Sequence, residues 1–301
     1  LRSHKLERDL RLLQLEDAGR PDDPFTLFNL GSVYHELGKP AEALPRLRRS
    51  LEKSHPKDSI VRKLYALIAG CCRLQNRMGE ALAAVQEGRR VCPDDPELLF
   101  LEGLLRRERG DLAGAEACLL QVLGAKNGPH FASVDAGLRG YKARHNLAVV
   151  YHQQGRPKDA EAQWRLVTAE RPDFLPGWLG LGESALKQGE WPSLEEAAGR
   201  LNGLPGAGPL EAALLRGRGL LARREFAAAR AALEAAAARF SAELAPRVVL
   251  SHVLLQEGKD PDAAERALRA VLALDPNHAE AQHNLGLLLA RRQGQAADAV
   301  S

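Results

Sequence analysis

Methionine occurs once, at Met78, so the chain opens on Leu1 without an initiator residue. We expect a stretch of a longer protein. Aromatic side chains make up only 5% of the 301 residues, so a core must be assembled mainly from leucine, alanine and valine. No apolar run approaches the roughly 20 residues needed to cross a bilayer, and no basic-then-apolar leader opens the chain. That pattern excludes a spanning helix and leaves the cytoplasm as the expected compartment. The four cysteines, Cys71, Cys72, Cys92 and Cys118, form no C-x-x-C pair. They are expected as reduced thiols filling helix contacts. Charge of one sign is also lacking: 42 basic residues face 39 acidic ones, for a net +3. Bases alternate with acids, which argues against a nucleic-acid-binding surface. Seventeen prolines and 27 glycines are ordinary counts, which excludes collagen-like and low-complexity chains. Arginine outnumbers lysine, a bias of high-GC bacterial coding.

Catalytic signatures are missing as well. No P-loop, H-E-x-x-H or G-x-S-x-G occurs. Gly180-x-Gly182-x-x-Ala185 matches part of a dinucleotide fingerprint, but no strand precedes it, so its backbone cannot cradle a phosphate. His145 and His152 lie seven apart, two turns of a helix, whereas a shared metal wants closer ligands. They are expected as solvated histidines. Paired acids such as Glu195–Glu196 and Asp94–Asp95 read as solvated charge or helix N-terminal acids. We therefore expect no enzyme activity, no cofactor and no metal in this chain.

What the sequence does hold is repetition. Asn29-Leu30-Gly31-Ser32-Val33-Tyr34-His35-Glu36-Leu37-Gly38, followed by Ala43, is echoed by Asn146-Leu147-Ala148-Val149-Val150-Tyr151-His152-Gln153-Gln154-Gly155, followed by Ala160. Asn284-Leu285-Gly286 starts the same phrase again. Prolines close the units at Pro56, Pro93, Pro172 and Pro276, where a helix must stop. Small residues at Gly31, Ala69, Gly103, Ala148, Gly182 and Gly217 would let two helices approach closely. Gly38, Gly110, Gly155, Gly189 and Gly258 fall where a helix ends and a left-handed residue is cheapest.

This pattern resembles the tetratricopeptide repeat, a helix–turn–helix unit of 34 residues. Ala43, Ala81, Ala115, Ala160, Leu194, Ala229 and Ala264 fall on its key second-helix position, Leu194 being the departure. The resemblance implies an all-α, right-handed superhelical solenoid of antiparallel helix pairs. We expect a capping helix over 1–20, where Leu6, Leu10, Leu13 and Leu15 recur at helical spacing. The repeat array then covers 21–301, with repeats near 24–57, 62–95, 96–123, 141–174, 175–208, 210–243 and 244–278. An insertion at 124–140, which Ser133 would cap, interrupts it. A partial eighth repeat at 279–301 ends inside its second helix. Glycine-rich 203–208 is the expected bend. Glu102 and Arg216 stand where leucine is usual, so each needs a rotated helix or an ionic partner.

In this family the first helices line a groove that binds protein or peptide. Carried over, the groove positions are Phe25, Phe28, Ser32 and His35, then Lys63 and Arg73, then Phe100 and Arg107, then Lys142, His145 and His152. The later repeats offer apolar Leu179, Leu214, Leu221 and Val248. Neither the chaperone-tail clamp nor a continuous asparagine ladder of the family is present. The expectation is a groove in the first four repeats, anchored by aromatics, with histidines that favour an acidic partner as pH falls toward 6. A narrower resemblance covers Leu6-Glu7-Arg8-Asp9-Leu10-Arg11-Leu12-Leu13 and Asp22-Asp23-Pro24-Phe25-Thr26-Leu27-Phe28-Asn29-Leu30-Gly31. This stretch is similar to the start of the repeat region behind the catalytic domain of bacterial family 2 glycosyltransferases. It implies a covalently attached glycosyltransferase domain whose acceptor this region would position.

Overall fold

The computed structural model describes residues 2–125 and 137–298. Among these residues the regular structure is helical, with sixteen α-helices, one short π-helical turn and no strand. The chain divides into two compact units, residues 1–170 and 171–301.

The first unit opens with α1 (Arg2–Gly19). Four helix pairs follow: α2 (Pro24–Glu36) with α3 (Pro40–Lys53), α4 (Val61–Leu74) with α5 (Met78–Val91), α6 (Pro96–Glu108) with α7 (Leu112–Gly124), and α8 (Ala143–Gln153) with α9 (Pro157–Glu170). The second unit holds α10 (Leu175–Gln188) with α11 (Trp191–Asn202), α12 (Gly208–Ala222) with α13 (Phe226–Arg239), α14 (Ala245–Glu257) with α15 (Pro261–Leu274), and α16 (Ala279–Asp298).

The helix starts follow from local chemistry. Asp23, Asp95, Asp111 and Asp260 accept hydrogen bonds from backbone N–H groups of the first turn, at 2.8 to 3.0 Å. Three of these caps are followed directly by proline, which has no N–H to leave unsatisfied. Gly38, Gly110, Gly155, Gly189 and Gly258 adopt φ between 67° and 82° between the two helices of their pairs. In the two remaining pairs Asn76 (φ 59°) and Arg224 (φ 60°) take this left-handed role. Asparagine tolerates it through its short polar side chain, whereas arginine carries the full steric cost.

Packing explains the key small residues. Ala43, Ala81, Ala115, Ala160 and Ala229 are fully buried. A β-carbon on Gly31 would lie 2.5 Å from Leu47 of α3, and one on Gly217 would lie 2.6 Å from Leu233 of α13. Leu194 is buried in the alanine position, and its bulk is met by Gly219 of α12, whose β-carbon would be 3.0 Å from it. The two departures from leucine are both ion-paired. Buried Glu102 is held by Arg89 and by Arg106, the latter at 2.7 Å, and Arg216 reaches Glu195 at 2.9 Å.

One expectation needs correction: among the described residues the eighth repeat does not reach a second helix, because 279–298 runs on as one helix with no turn. The chain divides into its two units after residue 170, and α11 and α12 pack on one another on either side of the glycine-rich 203–208 segment. Residues 138–142 form a π-helical turn leading into α8; most of the insertion, with Ser133 and its cap, lies outside the described residues.

Candidate partner-binding face

The first helices of the first unit, α2, α4, α6 and α8, pack side by side, so their exposed residues share a face. At its start stand two phenylalanines. Phe25 is 58% exposed, and its ring centroid lies 6.2 Å from that of Phe28, which is half-buried against the core. Ser32 is half-buried, and its hydroxyl donates to the Phe28 carbonyl one turn back at 2.9 Å. Phe100 is half-buried on α6.

The cations of this face are engaged from repeat to repeat. Lys63 of α4 pairs with Glu97 of α6, and its neighbour Arg62 pairs with buried Asp95 at 3.1 Å. Arg73 grips Glu108 through two nitrogens at 2.6 and 2.9 Å. Arg107 of α6 donates to the Asn146 side chain of α8 at 3.2 Å, and Asn146 in turn donates to the Lys142 carbonyl at 2.9 Å. Lys142 lies beside the Tyr141 ring. The resemblance placed these cations on one face, but the partners of Lys63, Arg73 and Arg107 come from the next repeat and are legible only once the helices are stacked.

The histidines depart from the solvated reading. His145 is largely buried, and Trp164 of α9 donates its indole N–H to His145 Nδ1 at 3.3 Å. Burial, helped by the Arg107 charge, pushes the His145 pKa down to about 4. This imidazole therefore stays neutral at pH 6 and does not supply the acid-driven attraction for an acidic partner. His152 packs against the same indole, with ring centroids 5.9 Å apart. His35 is also pushed down by burial and then by the Lys63 charge.

Sequence reasoning gave α1 a capping role only. In the structure it forms one wall of an open cleft of about 660 Å³ against α2. Leu6, Leu12 and Leu13 of α1 and Val33 of α2 line it, with Lys5, Asp9, Asn29, Ser32 and Glu36 on the polar side. Leu12 is 59% exposed. The signal was available in the sequence: Leu12 falls off the stripe made by Leu6, Leu10 and Leu13. Among the described residues no group of His, Cys, Asp and Glu is arranged to hold a metal ion, and no helix is long and apolar enough to cross a membrane.

Family models for the tetratricopeptide repeat match residues 28–96, 142–165 and 248–301. No curated protein sequence matches the chain. Among solved structures it is similar to a tetratricopeptide repeat protein from Parabacteroides merdae, at 15% identity over 88% of this chain and 98% of that one, with a TM-score of 0.64. It is also similar to a chain of the Cut9-Hcn1 hetero-tetramer of the APC/C, at 14% identity over 93% of this chain and 52% of that one, with a TM-score of 0.59. PilW, a type IV pilus biogenesis factor, matches at 18% identity over 67% of this chain and 86% of that one, with a TM-score of 0.56. At these identities the likeness is one of fold. Paired helices, buried alanines at the key position, glycines under the second-helix leucines and the matched segments agree: this chain carries tetratricopeptide repeats.

Proposed function

We propose that the chain is a non-catalytic scaffold that binds a protein or peptide through the first-helix face of its first unit. The observation that carries this reading is the exposed Phe25 beside Phe28, next to the leucine-lined cleft between α1 and α2. An exposed aromatic on a rigid helix is a low-entropy anchor, and such anchors commonly dominate interface energy. Phe100, Ser32 and the paired Lys63, Arg73, Arg107 and Lys142 extend the face, while His145 and His152 hold its floor through Trp164. Because Lys63 and Arg73 are already matched by Glu97 and Glu108, the face carries less uncompensated positive charge than its count of cations suggests. That favours a protein ligand over nucleic acid. Four free cysteines, with burial pushing the Cys71 thiol up to about 11, suit a reducing cytoplasmic setting.

The test is selection of binding peptides from a random library on the intact chain, followed by affinity measurement on Phe25→Ala/Phe28→Ala. The double variant should weaken selected peptides by about 2 kcal/mol or more. Selected peptides that bind both proteins equally would refute the assignment. The resemblance of residues 6–31 supports a narrower version, in which this face positions the acceptor of an attached glycosyltransferase domain. In that case the same double variant, made in the longer protein, should lower transfer to the acceptor and leave sugar-nucleotide hydrolysis intact.

A further inference from the structure

The second unit carries apolar first-helix positions that the face of the first unit leaves unused, and in the structure two of them meet. Leu214 of α12, with Leu244, Val248 and Val249 at the start of α14, lines an open pocket of about 520 Å³. That size is within the range of pockets that seat a ligand group. Leu214 is buried and forms the floor, whereas Leu244, Val248 and Val249 are half-buried walls. The walls are fixed from behind. Leu244 and Val248 pack on the core that holds Leu268 and Val271, and Val249 packs on that of Ala229 and Leu233. Ala245 is exposed at the mouth. The pocket lies inside the second unit, with a helix pair of the chain before it and one after it.

The charges around this pocket are unequal. Arg218 also lines it, but its guanidinium is spent on Glu183 of α10 at 2.7 Å. Glu243 is exposed on the rim, and its carboxylate has no ion-pair partner among the described residues. The nearby Arg247 donates instead to the backbone carbonyls of Glu243 and Ala237, at 2.9 and 3.5 Å, which holds its guanidinium toward α13. Glu211 precedes Leu214 by one turn on the same face of α12. It too has no ion-pair partner among the described residues. The result is an apolar seat with two uncompensated carboxylates at its edge.

We propose that the α12–α14 pocket binds a peptide segment in which a large apolar side chain stands beside an arginine or lysine. The apolar side chain enters between Leu214 and Val248 and is removed from water there. The cation stays at the rim, where Glu243 and Glu211 attract it and repel an acidic segment. Arg218, already paired, adds no opposing charge. The inference does not depend on the face of the first unit.

The probes are three capped hexapeptides, Gly-Gly-Phe-Arg-Gly-Gly and its Phe-Glu and Ala-Arg counterparts. Each is titrated into the full chain and followed by the methyl NMR signals of Leu214, Leu244, Val248 and Val249. The Phe-Arg peptide should shift these signals to saturation, with a Kd of about 1 mM or tighter. The Ala-Arg peptide should bind about tenfold more weakly, because the apolar side chain supplies the main contact. The Phe-Glu peptide should bind about fivefold more weakly, as expected of rim charges in water. Glu211→Gln/Glu243→Gln should erase the preference for Phe-Arg over Phe-Glu. Ala245→Leu narrows the mouth from an exposed position, so it should weaken Phe-Arg by about tenfold while far-UV circular dichroism matches the parent. Equal binding of Phe-Arg and Phe-Glu by the parent overturns the proposal, as does the lack of saturable shifts. Shifts confined to Phe25 and Phe28 would place the peptide on the first unit and overturn it. Shifts of the four pocket residues that follow protein concentration without peptide would assign the pocket to a second copy of the chain, and overturn it too.

Discussion

Protonation of His145 should weaken the folded state of the first unit before most carboxylates titrate. In the folded chain this imidazole accepts the Trp164 indole N–H and faces the Arg107 charge, so its pKa falls to about 4. In the unfolded chain it returns to about 6.5. Between these values only the unfolded chain takes up the proton. Stability is therefore whole above about pH 7 and falls as the solution is acidified toward pH 4. Linkage for a shift from 6.5 to about 4 gives a loss of about 2 kcal/mol between pH 7 and pH 5, reduced toward 1 by residual solvent access. His145→Gln keeps an acceptor for the indole but cannot titrate. Urea unfolding followed by far-UV circular dichroism at pH 7 and pH 5, on the parent and on His145→Gln, isolates the contribution. His35, pushed down in the same direction, is common to both proteins and cancels in the difference. The variant should lose about 1 to 2 kcal/mol less than the parent over this range. Identical pH dependence in the two proteins, or an NMR titration placing His145 near 6.5, would refute the burial argument.

Other perturbations separate packing from propensity. Arg224→Gly should raise the unfolding midpoint, because relieving a left-handed arginine is worth about 1 kcal/mol and only a distant contact with the Phe226 ring, at 5.9 Å, is lost; a lower midpoint would count against it. Gly31→Ala should destabilise by about 1–3 kcal/mol, since Leu47 is fully buried and has no room to yield. Gly286→Ala, with open space around it, should instead gain up to about 1 kcal/mol of helix propensity, and matching effects at the two glycines would contradict the packing account. Glu102→Ala should cost about 2 kcal/mol in urea unfolding by leaving Arg89 without its carboxylate, while Arg106 keeps Asp111, whereas a cost below about 0.5 kcal/mol would show that the buried carboxylate is not held as described.

The legible part of this structure is the part governed by backbone geometry. A left-handed turn wants glycine and a close crossing wants alanine or glycine, so Gly38, Gly155, Ala43 and Ala160 announced themselves. Compensations across helices did not. Leu194 reads as a flaw until Gly219, on the following helix, is seen against it. Asn76 and Arg224 hid two of the turns because neither is glycine. At the candidate face the phenylalanines were placed by the resemblance, but the neutrality of His145 depends on burial against stacked helices and on the Arg107 charge from the preceding repeat.

The polar locks of the first unit have one more consequence. Arg62 finds Asp95, Lys63 finds Glu97, Arg73 finds Glu108 and Arg156 finds Glu116 across only 33, 34, 35 and 40 positions of chain. Ties this short are closed at little entropic expense and need nothing from the far end of the molecule. Once residue 124 has left the ribosome, every side chain that fastens α4 to α6 is already outside the exit tunnel. The first three helix pairs can therefore set during synthesis, each new pair docking on a finished one, and a polymerase or nuclease error that removed one whole repeat would disturb only its two neighbours.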